Sequence, residues 1–386
     1  MSAGTVPATP GLLPRLDLAA LAGIVALYAL SRAMLMLVGV LTLATIDDSV
    51  QRQMGGALAQ LWCRWDCGWY LAIAERGYSA ASGPDQPGAT SLAFFPVLPL
   101  LVRWLAQATG LGTLGAGLVI SNLAFLLALV YVHRYALLLG ASRATAMLAV
   151  ALLCLVPQSF VFSAVYTESL FLLLLVAAMY HLRRGQFLRS GLAAAVLSST
   201  RATGVLFLVF ALAHIVRSHG VGTLLRPWRN PAPFIPVLLA PLGLFLWWAW
   251  CWQFTGDAFA QASSVGHGWG WRPGWFLDNL WWHLDQGVEA RFWTVASVLV
   301  FACAALLLRL RLYEEFALCA GIALLLWSGQ QPNSLLRYFI VLFPAWIALA
   351  WHLEHRPVAI AALFASLALV NGYLMSAWTL GKLITI

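Results

Sequence analysis

Long apolar runs separated by short polar connections fill most of this chain. Eleven runs are candidates for membrane-spanning helices: 18–43, 113–133, 143–158, 165–182, 188–200, 204–216, 234–254, 292–310, 315–329, 338–353 and 357–379. A helix needs about 20 apolar residues to cross the hydrocarbon core, so the shorter runs are expected to be thin, paired or partly buried in protein. The pattern predicts an all-α polytopic membrane protein, with residues 1–386 forming one integral membrane domain of about 11 transmembrane helices.

Two connections are much longer than the others. The first, about 44–112, contains "CRWDCGWYLAIAERGY" (Cys63–Tyr78), and the second, about 255–291, carries tryptophans at positions 269, 271, 275, 281 and 282. Tryptophan favours the membrane–water interface, but aromatic faces also stack on sugar rings. The composition leaves both interpretations of the second connection open, and we favour membrane anchoring.

The segment "FFPVLPLLVRWLAQATG" (94–110) decides the topology of everything after it. Its two prolines, Arg103 and its short length are typical of an interfacial helix that lies in the membrane plane. If it does not cross and the N-terminus is cytoplasmic, twelve of the 22 basic residues fall in short inner connections and ten of the 14 acidic residues fall outside. Both long connections are then extracytoplasmic. The run 18–43 is too long for the apolar core of a signal peptide and is expected to remain as the first span.

Composition narrows the class of protein. Apolar residues make up 62% of the chain and charged residues only 9%, against about 25% charged residues in soluble domains. A chain this apolar cannot cover itself with a polar surface, which excludes a soluble globular protein and makes membrane lipid an expected partner. The net charge of +8 comes from short arginine clusters between apolar runs, a pattern of membrane orientation, so no nucleic acid is expected as a partner.

Asp66 is surrounded by large aromatic residues and lies outside every apolar run; its aromatic neighbours are Trp65, Trp69 and Tyr70. The stretch "WYLAIAERGY" has helical spacing, and Gly77 is expected to end that helix. Asp66, near the start of the helix, suits an N-cap, which aspartate favours. It equally suits a general base, because a carboxylate among aromatic rings is shielded from water and its pKa is moved. The spacing alone leaves both interpretations open.

Further charged residues stand at the ends of apolar runs on the predicted outer side. They are Glu168 in "SAVYTESLFLL", Arg201 in "LSSTRATGVLF", and Arg337 beside Tyr338 in "GQQPNSLLRYFIVLFP". Charges at such positions are expensive and indicate function, although pairing with each other would also account for them. Arg32 lies in the middle of the first span and is expected to pair inside the bundle.

Two of the six cysteines, Cys63 and Cys67, flank Asp66. On a helix they would share a face, which is a weak signal for a metal site without a second ligand pair. A disulfide is the other interpretation, and it requires an oxidising compartment. The remaining cysteines lie in apolar surroundings and are expected to be small core residues.

Together, these residues indicate a chemistry. A carboxylate can take a proton from an attacking hydroxyl, while two guanidinium groups can hold a leaving phosphate. A transferase that uses a lipid-phosphate donor accounts for both features and for the membrane setting. The alternatives are a lipid or glycolipid transporter or flippase, for which we find none of the expected inverted repeats, and a non-catalytic subunit of a membrane complex.

Five motifs in this chain resemble one known family. "RWDCGWYLAIAERGY", "AFFPVLPLL", "VYTESLFLLL", "SSTRATGVL" and "LLRYFIVLFP" occur in the order and approximate spacing of the PIG-V-like mannosyltransferases. The similarity runs from about residue 20 to about residue 350. It implies a glycosyltransferase with a GT-C-type bundle whose first extracytoplasmic loop, where the interfacial helices are expected, carries a catalytic acidic residue. It also implies an inverting transfer of mannose from a polyprenyl- or dolichyl-phosphate donor.

The resemblance implies roles for particular residues. Asp66 falls on the catalytic acid of the first loop, which we expect to be the general base. Arg201 and Arg337 are expected to bind the donor phosphate. The residues expected to touch substrate, or to support those that do, are Trp65, Trp69, Tyr70, Glu168 and Tyr338.

Metal dependence is left open by the resemblance. Many enzymes of this superfamily have a paired acidic motif in the first loop, whereas here Cys67 follows Asp66. A divalent metal would need a further carboxylate, for which Asp47, Asp48 and Glu75 are the candidates. No other cofactor is expected.

The single lysine against 21 arginines favours a bacterial chain and hence the bacterial inner membrane. The active site is then expected on the extracytoplasmic face. The expected partners are a polyprenyl-phosphate sugar donor and a glycan, lipid or protein acceptor, among which the sequence does not choose.

Overall fold

The computed structural model describes residues 18–45, 61–83 and 87–385. Within these ranges the regular structure is helical, which confirms the predicted all-α class, and no strand is present. The helices are α1 Leu18–Leu43, α2 Asp66–Arg76, α3 Val97–Thr109, α4 Thr113–Leu138, α5 Arg143–Leu155, α6 Glu168–Arg183, α7 Phe187–Ser198, α8 Phe207–His219, α9 Gly222–Leu225, α10 Ile235–Leu239, α11 Leu242–Thr255, α12 Ala260–Trp269, α13 Phe276–Asp285, α14 Val288–Arg309, α15 Tyr313–Trp327, α16 Leu335–Ile340, α17 Phe343–Leu353 and α18 Pro357–Thr379.

Among the described residues, six helical stretches are long and apolar enough to cross a membrane. They are Leu18–Leu43, Thr113–Leu138, Ala202–His219, Ala232–Thr255, Val288–Arg309 and Pro357–Thr379. The other predicted spans correspond to α5, α6, α7, α15 and α17, which have 11 to 16 residues. Even 16 residues reach only about 24 Å of the roughly 30 Å hydrocarbon core. Helix length therefore does not confirm the prediction of about 11 crossings.

The short helix α6 forms the centre of the bundle. Most of its residues are buried, and it packs against α4 and α7. By contrast, α1 and α18 pack against each other at the edge and are only 22% and 17% buried. Because protein replaces lipid around α6, a helix too short to span the hydrocarbon core is tolerated there.

The first long connection folds back on itself through α2 and α3. The Arg103 guanidinium on α3 donates to the last carbonyls of α2, those of Ile73 at 2.9 Å and Ala74 at 2.6 Å. At the start of α4, the Thr113 hydroxyl donates to Glu75 at 2.7 Å. Both ends of α3 thus lie at the same end of the bundle, which supports the prediction that 94–110 does not cross.

The second long connection packs against the first. Thr90 and Ser264 share a hydrogen bond of 2.9 Å between their hydroxyls, and the rings of Trp69 and Trp269 meet with 6.0 Å between their centres. The connection itself contains α12 and α13. The two predicted outer connections therefore form one layer at one end of the bundle.

The five tryptophans of the second connection divide into two groups. Trp275, Trp281 and Trp282 are exposed, as the anchoring interpretation requires. Trp269 instead packs against the first connection, and Trp271 lies against Gly329. Anchoring therefore accounts for three of the tryptophans, while Trp269 joins the two connections and Trp271 packs against the end of α15.

Arg32 pairs inside the bundle, as predicted. It donates to the Ser159 carbonyl at 2.7 Å, the Cys154 carbonyl at 3.2 Å and the Ser163 hydroxyl at 3.3 Å. From α18, Asn371 donates to the Ser159 hydroxyl at 2.7 Å. These bonds to neutral oxygen atoms fasten the turn that leads into α6.

Candidate active site

The helix predicted in the first long connection is α2, and Gly77 ends it with a φ of 87°. Trp65 occupies the N-cap position and Asp66 the first helical position. The Asp66 carboxylate accepts a hydrogen bond from Arg337, with 2.6 Å between Oδ2 and Nη2. The helix-cap interpretation of Asp66 is therefore wrong, because Trp65 is the N-cap residue, no side chain caps the helix, and the Asp66 carboxylate pairs with Arg337.

Cys63 and Cys67 form a disulfide. Of the two interpretations of this cysteine pair, the disulfide is therefore confirmed and the metal site is wrong. The bond encloses Arg64, Trp65 and Asp66. The four remaining cysteines are free, and three of them are buried in the apolar interior, as expected: Cys154, Cys251 and Cys319. The segment that carries Asp66 is thus covalently closed.

Four charged side chains from distant parts of the sequence meet at the start of α6. Arg337 lies between two carboxylates: it binds Asp66, and its Nε is 3.6 Å from Glu168 Oε1. The same Glu168 oxygen forms an ion pair with Arg201 Nη2, and Arg201 Nε donates to Thr167 Oγ1 at 2.7 Å. We call Asp66, Glu168, Arg201 and Arg337 the site cluster. Every charged residue predicted for the site is in it, and the mutual pairing considered as an alternative is present as well.

Each member of the site cluster stands where a helix begins or is interrupted. Asp66 and Glu168 are the first residues of α2 and α6, where the helix dipole favours a carboxylate. Arg201 lies between α7 and a short 3₁₀ helix, and Arg337 lies on the six-residue helix α16. These interruptions put the four side chains at the same end of the bundle.

Arg337 carries hydrogen-bonding capacity that the protein does not use. It is 6% exposed, and Glu168 is fully buried. Within the described part of the chain, Arg337 Nε and Nη1 and Glu168 Oε2 have no hydrogen-bond partner. Burial alone would lower the pKa of Arg337, but the carboxylates of Asp66 and Glu168 hold that pKa well above its ordinary value, so the group stays charged. Because buried unpaired donors are costly, these nitrogen atoms indicate a place for ligand oxygen atoms.

Two tyrosine rings hold the guanidinium groups in place. The Tyr338 ring centre is 4.6 Å from Arg201 Cζ and 5.3 Å from Arg337 Cζ, and the Tyr166 ring centre is 5.0 Å from Arg337 Cζ. Such cation–π contacts favour the charged form and fix its plane. Tyr338 was predicted for the site. Sequence reasoning missed Tyr166, although its position two residues before Glu168 was the available signal.

The three predicted aromatic residues of the first connection have different surroundings. Tyr70 is buried with its ring edge on Phe94, 5.1 Å between centres, and burial raises the pKa of its hydroxyl. Trp69 stacks on Phe94 at 5.6 Å and meets Trp269 of the second connection at 6.0 Å. Trp65 is partly exposed. The first connection therefore supplies an aromatic wall beside the charges.

The candidate metal ligands of the first connection do not gather around Asp66. Glu75 lies near the far end of α2 and accepts from Thr113. Asp47 and Asp48 lie outside the described residues. In the described ranges no group of three or more metal-ligating side chains occurs. Asp66 and Glu168 are the carboxylates at the site, and the Arg337 guanidinium lies between them.

A second charged cluster lies at the other end of α6, and the sequence analysis did not identify it. Arg183 binds Glu314 at 2.9 Å and Glu315 at 2.6 Å, and Arg217 binds Glu314 at 3.0 Å. The Tyr135 hydroxyl donates to Glu315 at 2.6 Å. We call Arg183, Arg217, Glu314 and Glu315 the distal cluster. The sequence feature that could have indicated this cluster is the acidic pair Glu314 and Glu315 at the start of α15, together with Arg183 in a predicted inner connection.

Fold and site define a helical membrane protein with a buried carboxylate–guanidinium site at one end of its bundle. A family model described as Mannosyltransferase (PIG-V) matches residues 23–226. Because this match covers more than half of the sequence, the chain belongs to that family, which confirms the resemblance seen in the motifs.

Several named relatives are similar to part of the chain. GPI alpha-1,6-mannosyltransferase 2 of Mus musculus is 32% identical over 193 residues, which are 47% of this chain and 36% of the relative. The Homo sapiens protein of the same name is 31% identical over 176 residues, 43% of this chain and 33% of the relative. The chain thus matches about a third of the length of these relatives.

Among solved structures, the oligosaccharyltransferase of Archaeoglobus fulgidus is similar. Its complex with an inhibitory peptide and a dolichol-phosphate has a TM-score of 0.46 and 12% sequence identity, covering 92% of this chain and 56% of that one. The structure of its apo form has a TM-score of 0.45 and 12% sequence identity, and the match covers 92% of this chain and 56% of that one.

Proposed function

We propose that this protein transfers mannose from a polyprenyl-phosphate donor to an acceptor hydroxyl, with inversion, in a GT-C-type bundle. The observation that carries the proposal is the position of Arg337. It contacts the candidate base Asp66 and, within the described residues, keeps two buried nitrogen atoms without hydrogen-bond partners. A phosphate oxygen of a lipid-linked sugar is a suitable ligand for those donors.

The site cluster can divide the reaction between its members. Asp66 takes the proton of the acceptor hydroxyl while the acceptor oxygen forms a bond to the anomeric carbon. The bond between that carbon and the phosphate oxygen breaks, and the polyprenyl phosphate leaves with the electron pair. Arg337 and Arg201 stabilise the negative charge on the leaving phosphate.

The ion pair between Asp66 and Arg337 has a consequence for this mechanism. An inverting displacement puts the attacking and leaving oxygen atoms on opposite faces of the sugar, so the base and the phosphate ligand must stand apart. We therefore expect the bound substrates to separate Asp66 from Arg337. Glu168, already 3.6 Å from Arg337 and paired with Arg201, then remains as the carboxylate that orients both guanidinium groups.

The disulfide supports an extracytoplasmic site. Cys63 and Cys67 flank Asp66, and disulfides persist in oxidising compartments such as the periplasmic side of a bacterial inner membrane. With the cytoplasmic N-terminus inferred from the arginine distribution, the first connection lies on that side. The proposed acceptor is an extracytoplasmic glycan, lipid or protein, and metal dependence is left open.

The test uses purified full-length protein in lipid vesicles, polyprenyl-phosphate mannose labelled in the sugar, and a membrane extract as the acceptor source. Wild type is compared with Asp66→Asn, with and without a chelator. The matched control is Asp278→Asn, which makes the same change at an exposed position of the second connection. We expect labelled product from wild type and the control only. Labelled product from Asp66→Asn at the wild-type rate would remove Asp66 as the base.

A further inference from the structure

The turn that carries Asp66 has a backbone conformation that its sequence does not favour. Trp65 has a φ of 51° and a ψ of −115°. The Cys67 amide donates to the Arg64 carbonyl at 3.1 Å, which closes a four-residue turn. These angles at Trp65 match the first central residue of a type II′ turn, a position at which glycine is favoured. Such strain persists only where the surroundings hold it, and it is concentrated at functional sites.

The Tyr166 hydroxyl bridges this turn. It donates to the Arg64 carbonyl at 2.9 Å and accepts from the Asp66 amide at 3.2 Å, so its two bonds lie on either side of Trp65. Tyr166 is 1% exposed, and its ring lies between Arg337, at 5.0 Å, and Trp378, at 5.7 Å. A ring packed in this way gives the hydroxyl a fixed position.

The disulfide constrains the same turn differently. It joins the side chains of Cys63 and Cys67 and limits how far the two ends can separate. It leaves the peptide groups between them free to rotate. The Asp66 amide instead donates to the Tyr166 hydroxyl, so Tyr166 contacts the peptide group of Asp66 itself.

We propose that Tyr166 is a positioning residue for the transfer reaction. Its hydroxyl fixes the peptide groups on both sides of Trp65 and thereby directs the Asp66 carboxylate into the site, toward the acceptor. Without the hydroxyl, Trp65 relaxes toward an ordinary φ, and the start of α2 rotates with Asp66. This inference rests on the proposed role of Asp66 as the base.

The first test is Tyr166→Phe, which removes the hydroxyl and keeps the ring beneath Arg337. Loss of an oriented base lowers the rate of the chemical step, so we expect kcat to fall about 10- to 100-fold while the KM for polyprenyl-phosphate mannose stays within about 2-fold. The matched control is Tyr135→Phe. Tyr135 is equally buried, and its hydroxyl binds Glu315 at the other end of α6. In that control, kcat is expected to be unchanged.

The second test uses Trp65→Gly, because glycine adopts the turn conformation without strain. Tyr166→Phe is measured in the wild-type background and in the Trp65→Gly background. Each Tyr166→Phe protein is compared with the parent protein of its own background. Any effect on kcat from losing a contact between Trp65 and substrate is then common to both proteins and cancels. We expect the loss of kcat to shrink to about 3-fold or less in the Trp65→Gly background, since the strained turn no longer needs the hydroxyl. An equal loss in both backgrounds would show a merely structural role and overturn the inference.

Failure of this inference can be separated from failure of the proposed function. Wild-type kcat in Tyr166→Phe, together with an inactive Asp66→Asn, overturns the positioning role and leaves the base in place. Full turnover by Asp66→Asn overturns both. If Tyr166→Phe alone does not fold, recovery of a folded and active protein by adding Trp65→Gly supports the inference, and failure to recover it overturns the inference.

Discussion

The two ends of α6 carry the same set of charges in different arrangements. The site cluster and the distal cluster each contain two carboxylates and two arginines. In the distal cluster, Arg183 uses Nε and Nη2 to bind Glu314, Glu315 and Tyr135. Within the described chain, no buried nitrogen of Arg183 or Arg217 lacks a partner, whereas Arg337 has two. Among the described residues each cluster leaves one buried carboxylate oxygen without a hydrogen bond, Glu168 Oε2 and Glu315 Oε2, so the difference lies in the guanidinium groups.

This difference separates a structural ion pair from a binding site. A guanidinium whose buried donors all meet protein oxygen atoms stabilises the fold and has no buried donor left for a ligand. One that keeps free donors at a buried position is costly unless a ligand completes it. We therefore expect changes in the distal cluster to reduce stability, and changes in the site cluster to reduce activity.

The largest expected effect is that of Asp66→Asn. A general base contributes about 100- to 10,000-fold to a rate, so kcat should fall by about 1,000-fold. Donor affinity should not weaken, because removal of the carboxylate leaves Arg337 free for the phosphate. Both quantities are measured with purified protein in vesicles.

The corresponding change in the distal cluster is Glu315→Gln. Breaking a buried pair there costs about 3–5 kcal/mol of stability, but kcat of the folded fraction should match wild type. A folded Glu315→Gln protein with a strongly reduced kcat would contradict the division of roles between the two clusters.

The next largest effect is expected when an arginine is replaced by lysine, a substitution that can be made in both clusters. Arg337→Lys keeps the charge but loses the forked donors, so we expect the KM for the donor to rise about 10- to 100-fold with little loss of Tm. Arg183→Lys should lower Tm, because it loses several buried bonds, and should leave the donor KM unchanged. Donor titration and thermal unfolding of the two proteins check this. Similar effects of both variants on KM would contradict the comparison.

Part of this architecture could be predicted from the sequence. Apolar runs located the long helices of the bundle, because burial and lipid exposure both select apolar residues, but they did not predict α12 and α13 of the second connection. Because both environments select apolar residues, the sequence does not give the number of membrane spans. The helix α6, for example, has the composition of a membrane helix, yet protein surrounds it. Gly77 ended α2 as expected, since a left-handed φ favours glycine.

The site was predicted in part as well. The ends of apolar runs identified Glu168, Arg201 and Arg337, because charges at such positions are rare. Their pairing order was not predictable, since it depends on contacts between residues up to 271 positions apart. The turn at Trp65 could not be predicted either, because its conformation opposes the local preference and is maintained by Tyr166 and the disulfide.

A smaller effect is expected from loss of the disulfide. Replacing both Cys63 and Cys67 with serine removes one constraint on the turn but keeps the Tyr166 bridge, so kcat should fall about 3- to 10-fold. Tm should change little, because the bond closes only a short loop. Kinetics with and without a reductant check this, and Cys303→Ser, at a free cysteine, serves as the control. Unchanged kcat would show that the disulfide does not help to orient Asp66.

The smallest expected effect is a decrease in Tm at low pH, caused by protonation of Glu314 in the distal cluster. Burial alone would raise the pKa of Glu314, but the hydrogen bond with His214 and the guanidinium groups of Arg183 and Arg217 lower it to about 2. Glutamate in the unfolded chain has a pKa of about 4.3, so this stabilisation is complete above that pH and is lost as the pH falls toward about 2. We expect Tm in detergent to be unchanged between about pH 7 and about pH 5 and to decrease below about pH 4. Glu314→Gln should be less stable at neutral pH and should approach wild type as the pH falls. A difference in Tm that stays constant down to about pH 3 would show that the charge of Glu314 does not stabilise the distal cluster.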